Sequence, residues 1–172
     1  MNEVINNIMT RRSIRDFTDK KVDKADMETL IKCALTAPSG ANKQTWKMTA
    51  VLNEKIIHEL CETIGEIWGK KGYNMYGATA LIIPSNEKDS KWGRDDNACA
   101  LENIFLAAHS MGIGSVWINQ LVGFSDEPKI RALLTKLNIQ DNHDVYGIAA
   151  LGYSGSEPVG EKEKIGSFEI FE

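Results

Sequence analysis

Three arginines and a serine lie within five residues near the start of the chain, in the order Arg11, Arg12, Ser13, Ile14, Arg15. An arginine presents a planar fork of N–H donors that matches phosphate oxygens, and a serine hydroxyl adds a further donor. If the backbone is extended from Arg12 onward, alternate side chains can point to the same side. The cluster could therefore surround a phosphate, although composition alone favours a simpler interpretation. A solvated basic helix end has the same composition, because cations favour a helix C-terminus.

A second group of small and polar residues occupies positions 37–46, with the sequence Ala-Pro-Ser-Gly-Ala-Asn-Lys-Gln-Thr-Trp. Small residues let a backbone approach a flat polar ligand closely. The amides of Asn42 and Gln44 each offer donors and an acceptor. The same residue types are common in an ordinary turn between a helix and a strand. This segment alone therefore fits either a binding loop or a simple turn.

Other kinds of catalytic site find little support in the sequence. Gly155 follows Ser154 one place too early for the nucleophile elbow of a hydrolase. The Gly-Ile-Gly at 112–114 follows a helical pattern and precedes a strand, which is the reverse of a dinucleotide-binding fingerprint. The three cysteines lack the spacing of a disulfide framework or a zinc site: Cys33, Cys61 and Cys99. We expect no bound metal and no catalytic nucleophile, acid or base.

Composition excludes several classes of protein. The chain has 172 residues, and 20 Lys+Arg against 24 Asp+Glu give a net charge of −4. This mild acidity argues against a general nucleic-acid binder, which carries a basic excess. Apolar runs reach only about five residues, far below the roughly 20 that a membrane helix needs. We expect a single domain over residues 1–172, a cytoplasmic location, and neither nucleic acid nor membrane as a partner.

Hydrophobic periodicity predicts about four strands and five helices in interleaved order. Helices are predicted over 2–11, 23–37, 53–68, from 95 or 96 to 112, and behind Pro128; strands are predicted over 46–52, 78–84, 115–119 and 144–153. Such an order predicts an α/β or α+β sandwich in which helices cover a small sheet. The apolar segment 168–171 lies beyond a polar stretch. It either folds back onto its own core or docks on a partner chain.

The two polar segments occur together with three further patterns. Asp-Asn-Ala at 96–98 leads into Leu-Glu-Asn-Ile-Phe-Leu-Ala-Ala at 101–108; Met-Gly-Ile-Gly-Ser-Val-Trp-Ile follows at 111–118, and Gly-Ile-Ala-Ala-Leu-Gly-Tyr at 147–153. With Arg-Arg-Ser-Ile-Arg-Asp-Phe at 11–17 and the segment 37–46, this order resembles the FMN-dependent nitroreductase family. The resemblance covers nearly the whole chain, and segments 11–17 and 37–46 are its strongest part.

The resemblance implies an α+β, nitroreductase-like three-layer sandwich with a mixed, mostly antiparallel sheet flanked by helices. It also implies an intertwined homodimer with tightly bound FMN at the interface and NADH or NADPH as the reductant. The FMN-binding residues implied by the resemblance are Arg11, Arg12, Ser13 and Arg15 at the phosphate, Pro38, Ser39, Gly40, Asn42 and Gln44 from the partner subunit, and Ile118, Asn119 and Gln120 beside the ring. A backbone N–H of Asn119 or Gln120 would face flavin N5.

The sequence departs from the family pattern after the last strand. Many members carry Gly-Tyr-Pro there and then an arginine that helps to bind the phosphate, whereas this chain has Gly-Tyr-Ser at 152–154. Lys162 or Lys164 either replaces that arginine as a point charge or belongs to a solvated tail. The tail from about residue 154 to residue 172 is expected to dock on the partner subunit.

The activity implied by the resemblance is a ping-pong hydride transfer. NAD(P)H would reduce FMN at N5, and a small electron-poor acceptor, such as a nitroaromatic or a quinone, would then take the reducing equivalents. The flavin supplies the redox chemistry, and the protein supplies orientation and electrostatics. The alternative is a flavin- or nucleotide-binding carrier or sensor without turnover, since such a module would use the same two segments.

Overall fold

A computed structural model of the chain describes residues 2–156 and 163–172. Within those residues, the helices and strands are, in chain order, α1 (Glu3–Thr10), α2 (Lys24–Leu35), β1 (Trp46–Val51), α3 (Glu54–Ile67), β2 (Ala80–Glu87), α4 (Gly93–Ser110), β3 (Gly114–Ile118), α5 (Pro128–Lys136), β4 (His143–Val145) and β5 (Ile148–Gly152). Local signals start two of the helices. The Asn53 side chain accepts from the backbone N–H groups of Lys55 and Ile56, and Pro128 occupies the first turn of α5.

The strands form an antiparallel sheet in the order β1-β2-β5-β3, and β4 pairs with the far end of β2. Alternate residues of β2 face opposite sides of this sheet. Leu81 and Ile83 join a core that α3 and α5 complete, whereas Ala80 and Ile82 join a core with α2 and α4. The sheet therefore lies between two helical layers, and the predicted three-layer sandwich is confirmed.

The last predicted strand, over 144–153, is wrong as a single element. It is divided into β4 and β5, which pair with different parts of β2, at Ser85–Glu87 and at Ala80–Ile82. Pro84 lies between those two parts and has no N–H to donate to a neighbouring strand. Gly147 makes the turn between β4 and β5 with φ of 157°. The chain thus leaves the ladder beside the proline and rejoins it after the glycine.

Two terminal segments expose large apolar side chains. None of the residues of α1 is buried, and its face carries four exposed apolar side chains: Val4, Ile5, Ile8 and Met9. In the C-terminal segment 163–172, Phe168 is 85% exposed and Phe171 90%. Large exposed apolar patches often mark the sites where a protein contacts another molecule. Of the helices in the described ranges, none has both the length and the hydropathy for a bilayer crossing.

Candidate functional site

The basic segment 11–17 lies along the outer edge of β3. Ser13 forms a parallel bridge with Ser115, and the Ile14 N–H donates to the Ser115 carbonyl at 2.9 Å. Phe17 then packs against Gly152, so closely that a Cβ at this glycine would lie 2.9 Å from Phe17 Cδ1. The glycine therefore allows the segment to lie flat against the sheet. The close contact fixes the segment's position.

The side chains alternate over Ser13, Ile14 and Arg15, and the alternation ends at Asp16, which is exposed like Arg15. Ser13 and Arg15 are exposed, whereas Ile14 and Phe17 turn towards the core. Extended backbone sends successive side chains to opposite faces, so Ser13 and Arg15 face solvent on the same side. Arg12 is half-buried. A hydroxyl and a guanidinium are thereby presented together, as an anion site requires.

Arg11 ends α1 and turns towards α4. Its Nε lies 3.6 Å from Glu102 Oε1, and its guanidinium carbon lies 5.9 Å from the ring centroid of Phe105. The side chain is only 17% exposed. Next to it, His109 Nε2 lies 2.9 Å from Thr10 Oγ1, and burial, followed by the Arg11 charge, lowers the pKa of His109. The histidine is therefore neutral at pH 7, and the arginines supply the positive charge.

The loop 38–44 joins α2 to β1 and has an unusual backbone. Ala41, Asn42 and Gln44 have φ of 52°, 55° and 51°, in the left-handed region that non-glycine residues avoid. Such positions cost on the order of 1–3 kcal/mol each and persist only where the surroundings hold them. Within the loop, Gln44 Nε2 donates to Asn42 Oδ1 at 2.9 Å, and the Asn42 N–H donates to the Ser39 carbonyl. The two amide side chains thus form one exposed polar edge.

The loop is fixed at both ends to the elements beneath it. The Gly40 N–H donates to Asp96 Oδ1 at 2.8 Å, and Asp96 belongs to the first turn of α4. The Trp92 indole packs against Gly40, where a Cβ would lie 2.3 Å from Trp92 Cδ2. At the other end, Thr45 Oγ1 donates to Asn86 Oδ1 at 2.7 Å. These contacts hold the strained backbone in place.

A third group of residues lies where β3 ends. Ile118 is buried, and the Asn119 N–H donates to Gln120 Oε1 at 3.0 Å. The Trp68 indole N–H donates to the Gln120 carbonyl at 3.0 Å, and the rings of Trp68 and Phe124 are 5.5 Å apart. An indole and a phenyl ring therefore support the turn that carries Asn119 and Gln120. In this arrangement, the Asn119 N–H is already bound to the neighbouring side chain.

The sheet divides these residues into two groups. Segment 11–17 and residues 118–120 both belong to the β3 edge, whereas the loop 38–44 leads into β1 at the opposite edge. With β2 and β5 in between, the edge strands lie about 14 Å apart at the usual strand spacing. Ser115 is beside the start of β2 through Leu151, whereas Trp46 is beside its end at Asn86. Segment 11–15 and the loop 38–44 thus lie at diagonally opposite corners of the sheet, whereas residues 118–120 follow the other end of β3, towards the same end of the sheet as the loop.

The fold and the two segments can be compared with known proteins. The model of a family described as the Nitroreductase family matches residues 8–153. The chain belongs to the nitroreductase family. A protein of Archaeoglobus fulgidus whose assigned name is NADH dehydrogenase/NAD(P)H nitroreductase is 33% identical over 163 residues, which cover 91% of this chain and 88% of that protein. The family predicted from the sequence is therefore confirmed.

Solved nitroreductase structures share the whole architecture. A nitroreductase from Bacteroides fragilis with bound FMN is 39% identical, with a TM-score of 0.92 and 100% of both chains covered. An FMN-dependent nitroreductase from Clostridium difficile is 26% identical, with a TM-score of 0.82 and 99% of both chains covered. The alignment with the first of these structures reaches both termini of this chain.

The sequence did not reveal how the nitroreductase loop is anchored. The sequence places Asp96 at a helix start and in the pattern 96–98 but assigns it no partner, and it gives no signal for Trp92. The acid at a helix start is an ambiguous signal, because the helix dipole favours a carboxylate there whether or not it has a second partner. The bond to Gly40 joins residues 56 positions apart. Of the two lysines considered in the tail, Lys164 is exposed and Lys162 lies outside the described residues.

A cavity of about 980 Å³ lies elsewhere in this nitroreductase, between α3 and residues 69–79. Of the predicted FMN-binding residues that the structure describes, none lines it. Burial raises the pKa of the Cys61 thiol in its wall to about 11, and burial also raises the pKa of the nearby Tyr73 hydroxyl. Both groups stay protonated at pH 7. A protonated thiol is a poor nucleophile, so Cys61 is not an activated nucleophile in this cavity.

Proposed function

We propose that this protein is an FMN-dependent NAD(P)H oxidoreductase that delivers reducing equivalents to a small electron-poor acceptor, such as a nitroaromatic or a quinone. The observation that carries the proposal is the basic segment 11–15, held against β3 with Ser13 and Arg15 exposed on one side. Membership of the nitroreductase family and the likeness to FMN-bound nitroreductases support it. A cytoplasmic location, where free thiols stay reduced, belongs to the same proposal.

The donors on this chain fit the two ends of FMN. A phosphate needs cationic forks and hydroxyls, and the segment supplies Arg11, Arg12, Ser13 and Arg15. Glu102 holds Arg11 by its Nε, which sets the direction of the guanidinium. Lys164 belongs to an exposed charged tail and is proposed as a further point charge near the phosphate.

The flavin ring needs a flat polar edge, and the loop 38–44 offers one. Asn42 and Gln44 are exposed, and their side-chain amides are hydrogen-bonded to each other. The compact residues Pro38, Ser39 and Gly40 allow the ring to approach the backbone closely. Residues 118–120 are proposed to lie beside the same ring, with a backbone N–H of Asn119 or Gln120 towards N5. For Asn119, this requires that its N–H release the Gln120 side chain and donate a hydrogen bond to the cofactor instead.

When bound, FMN supplies the hydride-transfer chemistry, so the chain needs no acid, base or nucleophile of its own. Its residues bind and orient. The arginines neutralise the phosphate charge, and the amides fix the ring plane. The indole of Trp68 holds the Gln120 carbonyl and therefore the turn next to the ring. This division of labour agrees with a site that is rich in hydrogen-bond donors.

We propose further that the working unit is a homodimer in which each FMN site takes segment 11–15 from one subunit and the loop 38–44 from the other. The positions of segment 11–15 and the loop 38–44 at opposite corners of one sheet support this arrangement. The exposed apolar faces of α1 and of the tail segment 163–172 supply surface for such an interface. Symmetric dimers are the commonest assembly of soluble proteins.

An anaerobic titration tests the proposed function. The purified protein is loaded with FMN, and its visible spectrum is recorded while NADH or NADPH is added without oxygen. We expect a stable yellow complex that either nucleotide bleaches, and colour that returns when a quinone or a nitroaromatic is added. Failure to bind FMN would refute the proposal. A yellow complex that neither nucleotide bleaches would instead identify a flavin carrier or sensor.

A further inference from the structure

The loop 38–44 needs an external anchor, because its backbone is strained at three non-glycine positions. Ala41, Asn42 and Gln44 all lie in the left-handed region, and the amides proposed to bind the flavin ring are two of these three. An isolated loop would relax from such a conformation. The side chains that prevent this relaxation therefore determine whether the loop has its binding conformation before the flavin binds.

Asp96 is one of two neighbouring acids at the start of α4, and the two differ in one contact. Asp95 is exposed, whereas Asp96 is only 4% exposed. Both lie in the first turn, where a carboxylate interacts favourably with the helix dipole. Asp96 also accepts the Gly40 N–H at 2.8 Å. The dipole accounts for an acid at either position, but it does not account for the burial of Asp96 or for its bond to a loop 56 residues earlier.

The contacts around Gly40 restrict its position relative to Asp96. The Trp92 indole lies on one side of the glycine, close enough that no side chain fits between them. Thr45 is bound to Asn86 at the other end of the loop. With the indole beneath Gly40 and the far end bound to β2, the Asp96 carboxylate sets the height of the loop above α4. A buried charged acceptor makes a stronger bond to an amide than a neutral one does.

We propose that Asp96 is a positioning residue for the flavin site: by holding the Gly40 amide, it keeps the loop 38–44 in the strained form that presents Asn42 and Gln44. This inference rests on the proposed function, since it assigns Asp96 a part in the same FMN site. Asp96 acts through Gly40 and not by touching the flavin. Asp96 thereby lowers the entropic cost of binding FMN, because a loop that is already ordered loses less conformational freedom when the ligand binds.

Four variants test the assignment by FMN titration and by thermal unfolding of the apoprotein. Asp96→Ala and Asp96→Ser both remove the acceptor that reaches Gly40, and the serine keeps a polar residue at the helix start. We expect each to weaken FMN binding roughly 10- to 100-fold, as loss of a charge-assisted bond does. Asp96→Asn retains an oxygen that can accept the Gly40 N–H, so we expect it to restore binding to within about threefold. Asp95→Ala is the matched control and should bind like the wild type.

The comparison between affinity and stability separates positioning from a purely structural role. Positioning requires Asp96→Ser to lose affinity while its apoprotein unfolds within a few degrees of the wild type. If Asp96→Ser lowers the unfolding temperature and binds FMN as tightly as the wild type, the inference is refuted. It is also refuted if Asp96→Asn loses as much affinity as Asp96→Ser. Failure of the wild type itself to bind FMN would refute the proposed function, which is a separate result.

Discussion

Replacing Gly152 by alanine should displace the basic segment without touching any of its charged side chains. The new methyl would lie 2.9 Å from Phe17 Cδ1 and 3.0 Å from Phe17 Cγ. Carbon atoms pack at roughly 3.5–4.0 Å, so the ring must retreat by about 0.6 Å or more. Its retreat is limited, because Phe17 belongs to the core and its N–H donates to the Tyr76 carbonyl at 3.2 Å. Overpacking of this kind costs about 1–3 kcal/mol.

Part of that displacement should reach Arg15, two residues before Phe17. We therefore expect Gly152→Ala to unfold about 1–3 kcal/mol more easily in urea and to bind FMN at least about tenfold more weakly. A double-mutant cycle supplies the control. In a Phe17→Leu background the smaller side chain leaves space for the methyl, so the same substitution should cost markedly less. The reasoning is refuted if Gly152→Ala matches the wild type in stability and affinity, or if its cost is unchanged in the Phe17→Leu background.

Four other changes have defined outcomes. Arg15→Ala should weaken FMN binding roughly 10- to 100-fold in a fluorescence titration, and unchanged affinity would place Arg15 outside the site. Removing residues 163–172 should weaken self-association in sedimentation and make FMN affinity depend on protein concentration; an unaltered dimer would exclude the tail from the interface. Burial lowers the pKa of His143 below its ordinary 6.5, so protonation favours the unfolded state, and stability should fall as pH drops below about 6.5. His143→Asn should flatten this loss in urea titrations at several pH values, and an identical pH dependence would contradict the assignment. Gly40→Ala should weaken FMN binding by its overlap with Trp92, and Trp92→Ala should relieve part of that loss.

Much of the fold could be predicted because its signals are local. Asn53 precedes an amphipathic run, and the structure starts α3 immediately after it. Pro128 marks the first turn of α5 in the same way. The alternation in 46–52 predicted β1 nearly to the residue. The alternation of Ser13 and Arg15 in the basic segment could also be predicted, because alternation in an extended chain depends only on neighbouring residues. Both side chains are exposed in the structure.

The parts that escaped prediction depend on contacts between distant residues. The division of the last strand follows from pairing with β2 on either side of Pro84, and a sequence pattern does not show which residues a proline will face. The role of Asp96 depends on a glycine 56 positions earlier. The ion pair between Arg11 and Glu102 was missed for the same reason, since an arginine at a helix end is equally compatible with solvent.

The positions of segment 11–15 and the loop 38–44 at opposite corners of one sheet also predict how two defective alleles should behave together. In the proposed dimer, a subunit with Arg15→Ala and a subunit with Asp96→Ser would each be impaired when expressed alone. A mixed dimer would contain one site with both segments intact and one with both defective. Random pairing makes about half of the dimers mixed, so about a quarter of all sites would be restored. Complementation between alleles should therefore occur only when the defects fall in different segments.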